Sequence, residues 1–257
     1  MEKFDIINPG VWFGPLSESS NLALETHDSA KTRLEKLCAR MKSGDFSARP
    51  QLEQLILSSE ETAVVRQAIR LYCFTCRHKN VEFIGRAIEK MSHDDVSTWV
   101  SSAPDTLSPE IVPYLFALLG KHSDTSVIDD VLASLYRLFP SKFSESDDNL
   151  SALAQRFNAF GMGRVQSAYY YQDALSHPGA LCKTLITTTA EVSSKGIEFP
   201  LANIPTILSI WSGIECPVSY GQKLDNEALP KVMNYVRLLS EMQWHEGSKY
   251  FYRHEVK

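Results

Sequence analysis

The sequence predicts an all-α protein, built as a right-handed stack of antiparallel helical hairpins and closed at its amino-terminal end by an irregular cap. Three observations predict this fold. Apolar residues recur at a spacing near 3.6 through most of the chain. Runs of alternating polarity bounded by hairpin turns, the pattern typical of strands, are not evident. Two successive helical hairpins, over 60–91 and 109–139, look like copies of each other.

The similarity of the two hairpins appears when the chain is shifted on itself by about 46 residues. Helices over 60–77 and 80–91 form the first hairpin, and helices over 109–121 and 126–139 form the second. The shift superimposes Val65 on Ile111, Ile69 on Leu115, Tyr72 on Leu118, and Val81 on Val127. By length and pattern, residues 59–140 resemble the two-helix repeats of HEAT and armadillo proteins. That resemblance implies an extended surface formed by stacked helices.

The elements around this central pair complete the predicted stack. Residues 1–20 combine apolar side chains with Asn8-Pro9-Gly10, which favours an ordered but irregular cap. A helix to about Met41 and a short helix through Leu57 form an opening hairpin. At Ser108-Pro109 the sequence has a helix start signal, with proline at the first helical position.

The carboxy-terminal half is predicted to be helical as well. A long helical pattern runs over 149–175, followed by helices over 180–192, around 206–211 and over 226–243. The tail over 244–257 fits a helix, a strand or a segment ordered by a partner equally well. We therefore expect an amino-terminal repeat half over 1–143 and a carboxy-terminal helical half over 144–257, packed as one continuous domain.

Composition and charge narrow the function classes. The formal net charge is -5, with 26 basic and 31 acidic residues, which weighs against a nucleic-acid binder because phosphate contacts need a basic surface. A mildly acidic surface suits a basic protein partner instead. Five cysteines, an odd number, do not indicate a disulfide framework. Without a signal peptide or a membrane-spanning run of apolar residues, the expected location is the cytoplasm.

Sequence motifs give little support to catalysis. Cys73 and Cys76 form a CxxC pair at the carboxyl end of an apolar helix. The helix dipole does not activate a thiol at that end, so buried core cysteines are the favoured interpretation. Gly161 and Gly163 fit a helix break better than a phosphate loop. His245 and His254 are too far apart to share a helical face as metal ligands. We expect no cofactor, no metal and no enzymatic activity.

Paired aspartates are the candidate partner-binding residues. They could form an acidic face that selects a basic partner and speeds its association, although helix capping and linker solubility explain such pairs as well. Aromatic side chains would complete the face. The predicted contact residues are Asp94, Asp95, Asp129, Asp130, Asp147, Asp148, Trp12, Tyr169 and Tyr171.

The whole chain resembles a second group of proteins, the helical immunity proteins that bacteria encode beside contact-dependent or polymorphic toxins. The features that carry this resemblance are its size, the start with Trp12-Phe13-Gly14, its mild acidity and the lack of catalytic motifs. The resemblance implies a cytoplasmic inhibitor that binds one cognate toxin, often a nuclease, and blocks its active site. The alternatives are a helical-repeat enzyme of the DNA glycosylase kind, which would need a basic groove, and a general adaptor subunit.

Overall fold

The computed structural model describes residues 22–88, 91, 93–121, 125–143, 150–161, 165 and 167–257. The protein is mostly helical, as predicted, and two short β-hairpins accompany the helices. The helices are α1 (Ala30–Lys42), α2 (Arg49–Ser58), α3 (Thr62–Thr75), α4 (Val81–Ile88), α5 (His93–Ser102), α6 (Val112–Lys121), α7 (Thr125–Leu138), α8 (Leu150–Gly161), α9 (Pro178–Lys195), α10 (Ile204–Ser212) and α11 (Ala228–Ser240). The strands are β1 (Tyr170–Tyr171), β2 (Ala174–Leu175), β3 (Tyr250–Phe251) and β4 (His254–Glu255). None of the described helices is long and apolar enough to cross a membrane.

Several helix boundaries follow directly from local sequence. Ser29 caps α1 by accepting a hydrogen bond from the backbone N–H of Thr32. The start predicted at Ser108-Pro109 is confirmed: the Ser108 hydroxyl accepts from the backbone N–H of Glu110. A 3₁₀ helix over Pro109–Ile111 then leads into α6. At its carboxyl end, α9 is followed by Gly196, whose φ of +61° lies in the left-handed region that glycine adopts easily.

Alternate helices of the amino-terminal part lie side by side. The helices α3, α5 and α7 pack in that order, and the Ser134 hydroxyl of α7 donates to the Val100 carbonyl of α5 at 2.7 Å. On the other side α4 approaches α6 closely, since a Cβ on Gly85 would lie 2.2 Å from the Tyr114 ring. The segments superimposed by the 46-residue shift, α3 and α6, therefore pack in different rows. A HEAT-like repeat stays a prediction.

Buried apolar residues form two clusters. The first lies mainly among α1 to α8 and contains Trp99, whereas the second lies mainly among α9 to α11 and contains Trp211. The β3–β4 hairpin contributes to both, because Tyr250 belongs to the second cluster and its neighbour Phe251 to the first. The division into halves at 143/144 stays a prediction.

The prediction of a helical pattern over 149–175 is wrong beyond α8. After α8 the chain forms the antiparallel β1–β2 hairpin, with Gln172 and Asp173 in its turn at φ of +48° and +68°. The tail left open by the sequence forms a hairpin of the same kind, with Tyr252 and Arg253 at φ of +48° and +72°. Positive φ at both central residues gives the tight turn that joins such short strands.

The two hairpins share further hydrogen bonds at equivalent positions, about 80 residues apart. The Tyr170 hydroxyl accepts from the backbone N–H five residues before it, at 2.9 Å, and the Tyr250 hydroxyl does so at 2.7 Å. Backbone hydrogen bonds also join the segments that flank the two hairpins. The Tyr169 N–H donates to the Gly247 carbonyl at 2.8 Å, and the Gly247 N–H donates to the Ser176 carbonyl at 2.9 Å. The chain thus uses one hairpin design twice and pairs the copies.

Candidate functional site

The predicted acidic residues whose side chains the structure describes lie on α5 and α7: Asp95, Asp129 and Asp130. Asp130 is held in place, since the Ser97 hydroxyl donates to its carboxylate at 2.6 Å. Asp95 pairs with Arg66 of α3 at 3.7 Å. Asp129 is exposed to solvent. The predicted face is therefore acidic at Asp129 and Asp130, whereas the charge of Asp95 is balanced by Arg66. The sequence did not predict this arginine beside Asp95.

An exposed aromatic residue lies on the same helix face as Asp129. Tyr136 is 40% exposed and follows Asp129 by two helical turns, so the two side chains share one side of α7. Next to it, Arg137 donates to the Ser101 carbonyl at 2.9 Å and lies 3.7 Å from the Asp105 carboxylate. We call Asp129, Asp130 and Tyr136 the α7 face. Its flanking polar groups are held by hydrogen bonds within the protein, which fixes their geometry before any partner binds.

The aromatic residues predicted as contacts lie elsewhere. Tyr169 is only 6% exposed, and its ring stacks on His78 with the centroids 4.1 Å apart, so little of its surface is open to a partner. Its role as a contact residue stays a prediction. Tyr171 is half-buried, and burial raises its pKa to about 12. The sequence prediction put both residues on a long helix, whereas in the structure Tyr171 belongs to β1 and Tyr169 directly precedes it. Trp12, Asp147, Asp148 and the side chain of Asp94 lie outside the described residues.

A fully buried lysine lies between α3 and the β3–β4 hairpin. Lys249 is 1% exposed. Its ammonium donates to the backbone carbonyls of Cys73 at 2.6 Å, Thr106 at 3.0 Å and Cys76 at 3.3 Å. The first and third of these carbonyls belong to the carboxyl end of α3, where the helix dipole favours a cation. Burial lowers the pKa of Lys249, and the three carbonyl acceptors match its three protons.

This arrangement suits a structural role for Lys249. A lysine acts as a nucleophile or base through the lone pair of its neutral amine, which must face a substrate. Here the Nζ atom faces three backbone carbonyls and a Tyr169 ring whose centroid is 5.7 Å away. The lysine therefore joins the carboxy-terminal hairpin to α3 and to the 3₁₀ helix over Ala103–Thr106.

The CxxC pair lies in the core, as predicted. Cys73 and Cys76 are both free and buried, and desolvation raises the pKa of each thiol. The two histidines of the tail have different neighbours. His245 lies 3.9 Å from the Glu255 carboxylate, whereas His254 packs on Gly44. Among the described residues, no group of three or more potential ligands is arranged to hold a metal ion.

A groove opens beside the start of α4 and α6. It encloses about 510 Å³. Its lining mixes both charges with apolar surface and an aromatic ring: His78, Lys79, Val81, Glu82, Glu110, Pro113, Tyr114 and Ser167. The groove thus lies on the side of α4 and α6, while the α7 face lies on the row formed by α3, α5 and α7.

Comparison with known proteins adds the decisive finding. The family model described as Immunity protein 47 (Imm47) matches residues 7–256, which is nearly the whole chain. No curated protein and no solved structure matches the chain. A match of this extent covers both hydrophobic clusters and both hairpins. The chain belongs to the Immunity protein 47 family.

Proposed function

We propose that this protein neutralises one cognate toxin in the cytoplasm by binding it directly, as a stoichiometric inhibitor and not as an enzyme. The observation that carries the proposal is the family match over residues 7–256, because an immunity protein acts on a toxin. The resemblance seen in the sequence points the same way. We further propose that the toxin is a nuclease whose active site becomes covered.

The interior geometry supports inhibition by binding. The buried ionisable groups that would attract attention as catalytic residues are Lys249, Cys73 and Cys76. The Lys249 ammonium contacts backbone carbonyls and, at 4.0 Å, the Cys76 thiol, and all three residues are buried. Burial raises the pKa of the two thiols, which disfavours the reactive thiolate. A stable scaffold that presents a fixed surface fits these features.

The α7 face is the surface that we propose for toxin contact. Tyrosine is enriched among the residues that dominate binding energy at interfaces, and Tyr136 is exposed there, two helical turns from Asp129. The hydrogen bond from Ser97 holds Asp130, and Arg137 is tethered to Ser101. Because Asp130 and Arg137 are already ordered, binding would lose little conformational entropy from these two side chains.

Charge supports a basic partner. The net charge of the chain is -5, and Asp129 adds an exposed carboxylate to the α7 face. A nuclease needs positive charge to hold the phosphates of its substrate. Carboxylates placed over that basic surface would attract the toxin and compete with the nucleic acid for it.

Complex formation tests the proposal. The toxin domain encoded beside this protein's gene would be purified, mixed with the protein and analysed by size-exclusion chromatography with light scattering. We expect a complex of one toxin and one inhibitor, and a weaker complex at high salt. Two proteins that elute separately at micromolar concentrations and low salt would refute direct binding.

A further inference from the structure

Arg49 is a buried cation that uses only part of its hydrogen-bonding capacity. This residue of α2 is 4% exposed. Its Nε donates to the Thr75 carbonyl at 2.7 Å, and its guanidinium lies 4.9 Å from the centroid of the Phe46 ring. Its Nη2 atom is buried and has no hydrogen-bond partner among the described residues. A buried guanidinium nitrogen without an acceptor is costly, so the native state should supply one.

A second arginine lies near the backbone group that Arg49 contacts. Arg77 follows Thr75, the acceptor of Arg49, by two residues and is half-buried. Burial and, next, the positive charge of Arg77 lower the pKa of Arg49 to about 10. The Nε of Arg77 is also buried and unpartnered within the described part of the chain. The positive charges of Arg49 and Arg77 therefore oppose each other in a partly desolvated environment.

The nearby negative groups are engaged with other partners. Glu53 accepts a hydrogen bond from the Tyr72 hydroxyl at 2.7 Å, and the Asp105 carboxylate lies 3.7 Å from Arg137. The carbonyls at the end of α3 already accept from Lys249 and from the Nε of Arg49. These carbonyls compensate part of the positive charge but leave the Nη2 of Arg49 and the Nε of Arg77 without acceptors among the described residues.

We propose that Arg49 and Arg77 form a binding site for one oxyanion, either a phosphate or a carboxylate. A guanidinium presents its N–H donors in a planar fork that matches the oxygens of both groups, and charge-assisted bonds of this kind are strong. An anion between the two side chains would satisfy the buried nitrogens and offset their repulsion. The open groove begins one residue further along the chain, because His78, next to Arg77, lines it.

Nuclear magnetic resonance of the arginine side chains tests this site in the full-length protein without any toxin. Inorganic phosphate would be titrated at constant ionic strength while the Nε–Hε signals of Arg49 and Arg77 are followed. We expect both signals to shift and saturate together. In Arg77→Gln we expect the apparent Kd for phosphate to rise about tenfold or more, because the variant loses one hydrogen bond between charged groups.

The controls separate a specific site from general charge screening. Arg86→Gln, which removes an exposed arginine of α4, should bind phosphate like the wild type. Titration with acetate distinguishes the source of the oxyanion: tighter binding of phosphate indicates a free or ester phosphate, and tighter binding of acetate indicates a partner's carboxylate. The proposal is overturned if neither anion shifts the two signals, or if both arginine substitutions weaken binding equally.

Discussion

The ammonium of Lys249 donates to the backbone carbonyl of Cys73 at 2.6 Å, across 176 residues of sequence. This contact joins the carboxyl end of α3 to the hairpin that also completes the second hydrophobic cluster. The same hairpin reaches α10, where the N–H groups of Tyr252 and Arg253 donate to the carbonyls of Ile210 and Trp211 at 2.7 and 2.6 Å. One short hairpin therefore caps helices in both parts of the protein.

Substitution of Lys249 tests this role. In Lys249→Met the apolar stem is retained but the three carbonyl acceptors lose their donor, so we expect a loss of about 3 kcal/mol in the free energy of unfolding. Urea denaturation followed by circular dichroism measures it. The control Lys183→Met changes an exposed lysine of α9 and should stay within about 0.5 kcal/mol of the wild type. Equal stabilities of the two variants would contradict the structural role.

Asp105 predicts a pH dependence of stability. Burial raises its pKa above the ordinary value of 3.8, although Arg137, Lys249 and Arg70 oppose that shift. The folded state therefore holds the proton more tightly than the unfolded state, and this group favours folding less as pH rises from 3.8 through the raised pKa. Asp105→Asn removes the titration.

Denaturation curves at several pH values would compare Asp105→Asn with the wild type. We expect similar stability of the two below the ordinary pKa of 3.8, where the aspartate is protonated in both states. Toward neutral pH the asparagine variant should become the more stable one. A wild type that gains stability relative to the variant as pH rises would mean that the ion pair with Arg137 dominates over burial.

The helices could be predicted from sequence because each depends on local periodicity and capping. The helix start at Ser108 and the burial of Cys73 and Cys76 follow from such local patterns. The β1–β2 hairpin was missed, and the structure of the tail was left open, because strands of two residues are too short to show alternation. Their turns also use Gln172-Asp173 and Tyr252-Arg253, not the asparagine and glycine typical of this turn type.

The candidate sites depend on contacts between distant segments, which periodicity does not encode. Nothing beside Lys249 in the sequence shows that carbonyls near Cys73 and Thr106 will surround it. The repetition of Tyr170-Tyr171 as Tyr250-Phe251 is the one local signal that could have revealed the paired hairpins. Tyr136 was overlooked in favour of Tyr169 because both lay within predicted helices, and only packing distinguishes the exposed ring from the buried one.

The thiols of Cys73 and Cys76 should react slowly in the native protein. Both are fully buried and their pKa values are raised, so little thiolate is available to a reagent. Labelling with a chromogenic disulfide reagent, with and without denaturant, measures this. Rapid labelling of either cysteine in native buffer would show that the core opens there.

Substitutions on the α7 face test the proposed contact surface. Asp129→Lys should slow association with the toxin several-fold and reduce its salt dependence, whereas Tyr136→Ala should mainly speed dissociation, by about tenfold or more. Both residues are exposed, so the fold should be retained. Surface plasmon resonance measures both rates. The matched control Asp225→Lys reverses an exposed aspartate elsewhere; if it alters the rates as much as Asp129→Lys, the α7 face has no special role.

Neutralisation by stoichiometric binding is the central claim, and a titration of toxin activity tests it most directly. A fixed amount of the cognate toxin, well above the Kd, would be mixed with increasing amounts of this protein, and the remaining activity on nucleic acid measured. We predict that activity falls linearly and reaches zero near one molecule of inhibitor per toxin. Complete neutralisation by about one molecule per hundred, as an enzyme would achieve through turnover, or full activity at several equivalents, would contradict the account.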